Sequence, residues 1–412
     1  MERIAVVIPL YNHEKFILEA LESVEAQTRP VDQVIIVDDG SSDRSVAVVR
    51  ESGLLADRRY TLIEQTNQGA HHALNRAISL AESCQWVAIL NSDDCFDRQR
   101  IAECEAFLKD QPHVQLLCSG LRLIGNDGAP LPESEPRARW FRAAWSLLCE
   151  DKPLAATLGV ANFPATTSNF FARKTWLLAN PFRPYRYAHD YFALVTAALA
   201  DKLAVLQKPL LSYRVHPSNT ITTAPEHLMR ELLIVNLDLI AQFASSQDLS
   251  PAIRGRFAAY RQALWYNISG VRADLLDLLL SQGALANPKA AVDALRLEDY
   301  PELAEFPNKP LVNLWDEATP LLHAEGVVRR LNEQRRELKT RREREKASME
   351  MALLLSKLAR SRWANFGRLL GFTKPPRLKA SLDSRSQLEV LRNWLEKSFW
   401  FRLGTMLGLW RR

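Results

Sequence analysis

Long apolar runs are missing from this chain. Nowhere do 18 apolar residues follow one another, so no segment reads as a helix crossing a bilayer. Cysteine is scarce: the five (Cys84, Cys95, Cys104, Cys118 and Cys149) are odd in number and show no CxxC spacing. That pattern argues against a disulfide framework or a cysteine zinc site and suits free thiols in a reducing cytoplasm. The first residues lead directly into a strand pattern, with none of the charged and apolar regions of a signal peptide. The expectation is a soluble or surface-lying protein, not one that crosses a membrane.

What is present is an ordinary globular composition, 47% hydrophobic and 25% charged, over 412 residues, enough for two or three domains. The net charge of +5 conceals a division. Residues 326–412 carry 22 Lys/Arg against 8 Asp/Glu, whereas residues 1–325 carry 31 against 40. An acidic body followed by a basic tail points to an anionic surface as partner.

Apolar runs suited to buried parallel strands recur early: "RIAVVIP" (3–9), "VDQVIIVDD", "YTLIEQT" and "WVAIL". Between them lie helical patterns, with Phe16, Ala20, Leu21 and Val24 on one face of the first. Strand and helix in alternation predict a doubly wound α/β sheet whose ligands sit outside the carboxyl ends of the strands. The polar stretches "YN", "DDGSSD" and "NSDD" all fall at those ends. Further on, "RIAECEAFLKDQP" reads as a helix and "VQLLCSGLRLIGNDGAPL" as strands around an Asn126-Asp127-Gly128 turn. Residues 130–165 read as irregular, "TTSNFFARKTWLL" as strand and helix, and "HDYFALVTAALAD" as a helix with an acidic start.

Asp93 and Asp94 end the "AILNSDD" strand. Two adjacent carboxylates there fit either a hard divalent cation or the cap of the following helix, a role open to Asp97 also. Asp38 and Asp39 repeat the arrangement, with Asp43 placed to cap the next helix. A carboxylate can accept the ring N–H of a uracil or thymine, and Tyr11 offers an aromatic face for the same base. Asn91, two positions before Asp93, withholds a third carboxylate from the cluster.

In their order and spacing, "VVIPLYNHEKFILEALESVEAQT", "VIIVDDGSSD", "NQGAHHALNRAI" and "AILNSDD" resemble the family 2 glycosyltransferases, over about residues 1–225. The resemblance implies the GT-A fold, a Rossmann-like, mostly parallel sheet flanked by helices. It also implies a nucleotide-diphosphate sugar as donor, UDP- or dTDP-linked, and a divalent cation, Mn2+ or Mg2+. Pro9, Tyr11, Asp39, Gly69 and Asp93 would line the donor nucleotide site, Tyr11 stacking on the base and Gly69 letting the backbone approach. Asp93 and Asp94 would hold the metal, Asp94 the more directly, so that Asp94→Asn is expected to abolish transfer. His216, in "SYRVHPSNT", is a further candidate ligand. Asp190 would be the base of an inverting transfer, with His189 where the family often carries Glu. His71 and His72 fall near the donor loop, and Trp140 and Trp145 are candidates for contact with an acceptor.

Beyond the GT-A region (1–225) a helical domain is expected over 226–325, then a charged helix, a weak coiled coil at most, over 326–360. A basic amphipathic tail over 361–412 repeats Ser-x-Trp-x-x-apolar-Gly in "SRWANFGRLLGF" and "SFWFRLGTMLGL". Tryptophan beside arginine suits a lipid headgroup interface, and a hairpin docked on the body or on a second copy is the competing reading. These features place the protein in the cytoplasm, peripheral on the inner face of the membrane, with a glycan or lipid-linked acceptor; homo-oligomerisation stays open. A non-catalytic GT-A-like scaffold in a polysaccharide assembly complex is the alternative, favoured by Asn91 and His189. No nucleic-acid-binding motif accompanies the basic run.

Overall fold

The computed structural model describes residues 2–148, 153–217, 219, 225–244, 250–264, 267, 275–276, 279–280, 282–295 and 384–398. The chain divides into two compact units, Met1–Thr319 and Pro320–Arg412. The first carries the sheet.

Strands β1 (Ile4–Leu10), β2 (Gln33–Asp38), β3 (Tyr60–Glu64) and β4 (Trp86–Ile89) are all parallel, in the spatial order β3-β2-β1-β4. Helices α1 (Ile17–Glu25), α2 (Ser45–Glu51) and α3 (Ala70–Leu80) alternate with them. The short β5 (Cys95–Phe96), helix α4 (Arg100–Leu108) and β6 (Leu116–Ile124) follow. Beyond β6 come α5 (Pro136–Ser146), α6 (Leu154–Val160), β7 (Phe171–Arg173), α7 (Lys174–Ala179), α8 (His189–Leu199) and β8 (Leu203–Arg214). The sheet continues β4-β7-β6-β8-β5, with β7 antiparallel to both neighbours and β6 parallel to β8. The fold is mixed α/β, a largely parallel sheet flanked by helices, as expected.

Successive strand residues face opposite ways, so the sheet has two cores. Ala5, Val7, Ile35, Val37, Val87 and Ile89 face α3 and α8, while Ile4, Val6, Ile8, Val34 and Ile36 face α1 and α4. The helical stripe expected of α1 is what it buries: Ile17, Ala20, Leu21 and Val24.

Three expectations change. Residues 130–165 are not irregular, because α5 and α6 occupy much of the span; Pro136 begins α5, where its missing N–H costs nothing. The second strand expected after the Asn126-Asp127-Gly128 turn reduces to one bridge, Ile124 to Pro130. Nor does a separate helical core begin at 226. Helices α9 (Pro225–Ala244) and α10 (Pro251–Ala263) bury Leu232, Leu233, Val235, Leu237 and Tyr260 in the same core as α3 and α8.

Among the described residues no helix is long and apolar enough to cross a membrane. The charged helix expected over 326–360 and most of the repeat-bearing tail lie outside the described residues; Ser384–Lys397 is helical.

Candidate active site

The carboxyl ends of β1, β2 and β4 bring the candidate residues to one edge of the sheet. Tyr11 follows β1 and is 47% exposed, its ring available to a ligand, and Pro9 is half-buried in the strand before it. Asn12 binds the neighbouring turn: its Oδ1 accepts from Ser42 N–H at 2.8 Å. The Asp43 carboxylate accepts from the Glu14 N–H at 3.0 Å and the Ser45 N–H at 2.9 Å. Burial raises the Asp43 carboxyl, but the hydrogen bonds from Ser45 and Glu14 outweigh it and hold the group below its ordinary range.

Asp39 is buried and clasps the Gln65–Gly69 loop. Its Oδ1 accepts from Gln65 Nε2 and the Gln68 N–H, each at 2.8 Å, and its Oδ2 from the Gly69 N–H at 2.8 Å. Gly69 has φ +92°, a conformation that a side chain would strain, and a Cβ there would meet the His71 ring at 3.0 Å. Beside it, Asp38 turns its Oδ2 to the Gly40 and Ser41 N–H groups, each at 3.1 Å. The loop also holds His72, whose Nδ1 lies 3.2 Å from Gln65 Nε2.

The two carboxylates of "NSDD" point in different directions. Asp94 is fully buried, accepting from Ser168 Oγ at 2.5 Å and from the Arg214 N–H at 2.9 Å. Burial and the charge of Asp93 raise its pKa well above the usual carboxylate range. Asp93 turns to the site edge, where its Oδ2 lies 3.0 Å from His216 Nε2 and 4.0 Å from His13 Nε2. Burial opposes its ionisation, but His216 and His13 more than offset that and lower its pKa. His13 is in turn 2.8 Å from Ser92 Oγ through Nδ1, and burial holds its imidazole below its ordinary value despite the pull of Asp93.

His13, Asp93 and His216 each offer one ligand atom, and these atoms lie within 4.8 Å of one another. Two imidazole nitrogens and an ionised carboxylate form a donor set that fits a divalent cation. Asp93 faces this cluster, whereas Asp94, expected as the more direct ligand, has its carboxylate engaged by Ser168 and the Arg214 N–H. Neither caps α4, where the Gln27 Oε1 accepts the first-turn Ile101 N–H at 3.1 Å. His13 carried no role in the sequence reading. Its only signal was its position just past the end of the first strand, two residues after Tyr11.

Asn91 is committed to structure. Its Nδ2 donates to Thr166 Oγ1 at 2.9 Å, and its Oδ1 accepts from Thr167 Oγ1 at 2.8 Å. Thr166, Thr167, Ser168 and Asn169 are all buried, and Ser168 also receives the Asn91 N–H at 2.8 Å. The sequence reading missed this polar block, which looks like a surface loop until its partners are known. Arg214, also buried, secures the other side: its Nε donates to the Asp93 carbonyl at 2.8 Å, and its guanidinium pairs with Glu19.

Asp190 stands in the first turn of α8, buried, with its Oδ2 accepting from Asn162 Nδ2 at 3.2 Å. Asn162 opens the loop that carries Thr166–Asn169, so one segment links Asp190 to the Asn91–Asp94 turn. His189 packs edge-on against Phe182 at 5.8 Å, its Nδ1 buried with no hydrogen-bond partner among the described residues. Trp140 and Trp145 are half-buried against the core, Trp145 edge-on to Phe163 at 5.7 Å.

The sequence pattern of the family "Glycosyl transferase family 2" matches residues 5–174. Those residues form a family 2 glycosyl transferase domain. Over 224 residues the chain is 26% identical to the uncharacterized glycosyltransferase alr2836 of Nostoc sp., covering 54% of this chain and 67% of that protein. It is 29% identical over 136 residues to the poly(ribitol-phosphate) beta-N-acetylglucosaminyltransferase TarS of Staphylococcus aureus, covering 32% of this chain and 23% of TarS. The putative teichuronic acid biosynthesis glycosyltransferase TuaG of Bacillus subtilis is 29% identical over 128 residues, covering 31% of this chain and 50% of TuaG. The crystal structure of TarS superposes with a TM-score of 0.47 at 22% identity, over 66% of this chain and 44% of that one.

Proposed function

We propose that the protein is a metal-dependent, inverting glycosyltransferase of polysaccharide biosynthesis, taking its sugar from a UDP- or dTDP-linked donor. The observation that carries the reading is the convergence of His13, Asp93 and His216 beside the exposed Tyr11 and the Asp39-bound Gly69 loop. An aromatic face, a carboxylate and a cation-competent cluster together match a pyrimidine nucleoside diphosphate: a base to stack, a ring N–H to accept and a diphosphate to neutralise.

His13, Asp93 and His216 would hold the divalent cation, Mn2+ or Mg2+, which when bound stabilises the negative charge that gathers on the diphosphate leaving group. Imidazole nitrogen is a poor ligand for Mg2+, which prefers oxygen, so the donor set favours Mn2+. Tyr11 stacks on the base, and Asp39 fixes the loop that lies against it. Asp190 takes the proton of the acceptor hydroxyl as that oxygen bonds to the anomeric carbon and the bond from that carbon to the diphosphate breaks. Attack from the face opposite the leaving group inverts the anomeric centre.

The names of TarS and TuaG support a cell-surface polysaccharide or its lipid-linked precursor as acceptor. The basic, Trp-bearing tail supports a cytoplasmic location against the inner face of the membrane. The scaffold alternative loses one of its two supports, because Asn91 fills a structural role that leaves Asp93 in the cluster.

The test is sugar transfer from a panel of UDP- and dTDP-sugars by wild type and Asp190→Asn, with donor binding measured in parallel. Loss of transfer with donor affinity retained supports the assignment; full turnover by Asp190→Asn contradicts it.

A further inference from the structure

Glu231 lies on α9, beyond the family-matched residues, yet its carboxylate collects three consecutive backbone N–H groups from the approach to α8. Arg186 donates to Oε2 at 2.7 Å, and Tyr187 and Ala188 donate to Oε1 at 2.5 and 2.8 Å. Ala188 is the cap residue of α8 and makes no side-chain cap; Asp190 follows in the first turn, its Oδ1 accepting from the Tyr191 N–H at 2.7 Å. A carboxylate at this position satisfies amides that the helix cannot, and its charge complements the positive end of the helix. It also fixes the direction in which the chain enters α8, and hence where Asp190 points.

Two neighbouring contacts tie the same segment to α9 and α10. The Tyr185 hydroxyl donates to Asp238 on α9. The Tyr191 hydroxyl, from the residue after Asp190, lies 3.0 Å from that of Tyr260, which donates to Asn236 Oδ1 at 2.6 Å. Apart from the bond to the exposed Arg186 amide, these bonds are buried or half-buried, where a lost partner is costly.

We propose that Glu231 is a positioning residue for Asp190, so that α9 and α10 belong to the catalytic unit. The proposal rests on the reading of Asp190 as the base. Glu231 returns a carboxylate to the helix start where His189 stands in place of the family's frequent Glu. It does so by holding backbone, not by touching substrate.

The experiment uses the full-length protein with Glu231→Ala and Glu231→Gln. Glu231→Ala is expected to lower kcat by about 10- to 100-fold while donor KM changes by less than about twofold, the signature of a misplaced reacting group. Glu231→Gln keeps an oxygen for Tyr187 and Ala188 but faces Arg186 with an amide, so it should recover most of the lost kcat. Amide hydrogen exchange over residues 186–191 is expected to quicken in Glu231→Ala, and at Arg186 alone in Glu231→Gln. Unchanged kcat and exchange in Glu231→Ala would overturn the proposal, as would a fall in donor affinity that matches the fall in kcat. If Glu231→Ala does not fold, Glu231→Gln decides it: unchanged kcat and unchanged exchange at Arg186 contradict the role. If wild type transfers no sugar at all, the reading of function fails, and the exchange measurement alone decides whether Glu231 holds this turn.

Discussion

Asp93 Oδ2 and His216 Nε2 lie 3.0 Å apart although 123 positions separate the residues in the chain. Strand β8 delivers His216 just beyond Arg214, and Arg214 binds back to the Asp93 carbonyl and holds the Asp94 carboxylate through its own N–H. One buried arginine thus registers the last strand against the acidic turn. The contact between the two candidate ligands follows from that registration.

The adjacent aspartates should respond differently to mutation. Asp93→Asn is expected to weaken Mn2+ binding on the order of 10- to 100-fold while leaving stability nearly unchanged. Asp94→Ala should instead cost about 1–3 kcal/mol of stability, since it leaves the Ser168 hydroxyl and the Arg214 N–H without their partner in a buried site. Asp94→Asn, which keeps the shape and an acceptor, should retain Mn2+ affinity. Mn2+ titration and denaturant unfolding of the three variants check these outcomes.

Asn91→Asp restores the third carboxylate that a richer acidic cluster would carry, and it should destabilise the protein. The substitution replaces the donor that meets Thr166, whose hydroxyl already accepts from the Ser168 N–H, and adds a charge beside the buried Asp94. The expected cost is about 1–3 kcal/mol at pH 7, shrinking as the pH falls and the new carboxyl takes a proton. Urea unfolding at pH 7 and pH 4.5 measures it.

Asp43 predicts a pH dependence in the acid range. Its folded-state pKa lies below the ordinary carboxylate value because Ser45 and the Glu14 N–H hydrogen-bond to its charged form and outweigh burial. The stabilisation is therefore fully present above the unfolded carboxylate pKa and disappears as the pH falls through the lower, folded value. Asp43→Asn should lose about 1 kcal/mol or less at pH 7, since solvent screens the group, and the gap to wild type should narrow as the pH falls below the ordinary carboxylate range. Thermal unfolding of both proteins between pH 7 and pH 3 is the measurement.

Much of the fold was readable because β1, β2 and β4 are continuous apolar runs with polar ends, a pattern that buried parallel strands require. The sheet edge that gathers Tyr11, Asp39 and Asp93 was readable for the same reason, since these residues fall where those runs stop. Which of two adjacent carboxylates meets the two imidazoles was not, because consecutive residues in a turn diverge and only their partners decide. The place of His13 in the cluster depends on the chain before α1 folding back so that Phe16 packs against His216 at 5.1 Å, a tertiary contact with no local signature. The buried Thr166–Asn169 block resembles a solvated loop until Asn91, Asp94 and Ser119 are placed around it. Helices α5 and α6 were hidden by their prolines, which here stand at helix starts and not in helix interiors.

The most direct test of the central claim is a calorimetric titration of UDP into the full-length protein with and without Mn2+, repeated on Asp93→Asn. The account predicts that Mn2+ tightens UDP binding to wild type by about tenfold or more, and that Asp93→Asn removes this gain while keeping the weaker, metal-independent binding. Equal UDP affinity with and without Mn2+ in wild type, or an undiminished Mn2+ effect in Asp93→Asn, would contradict it.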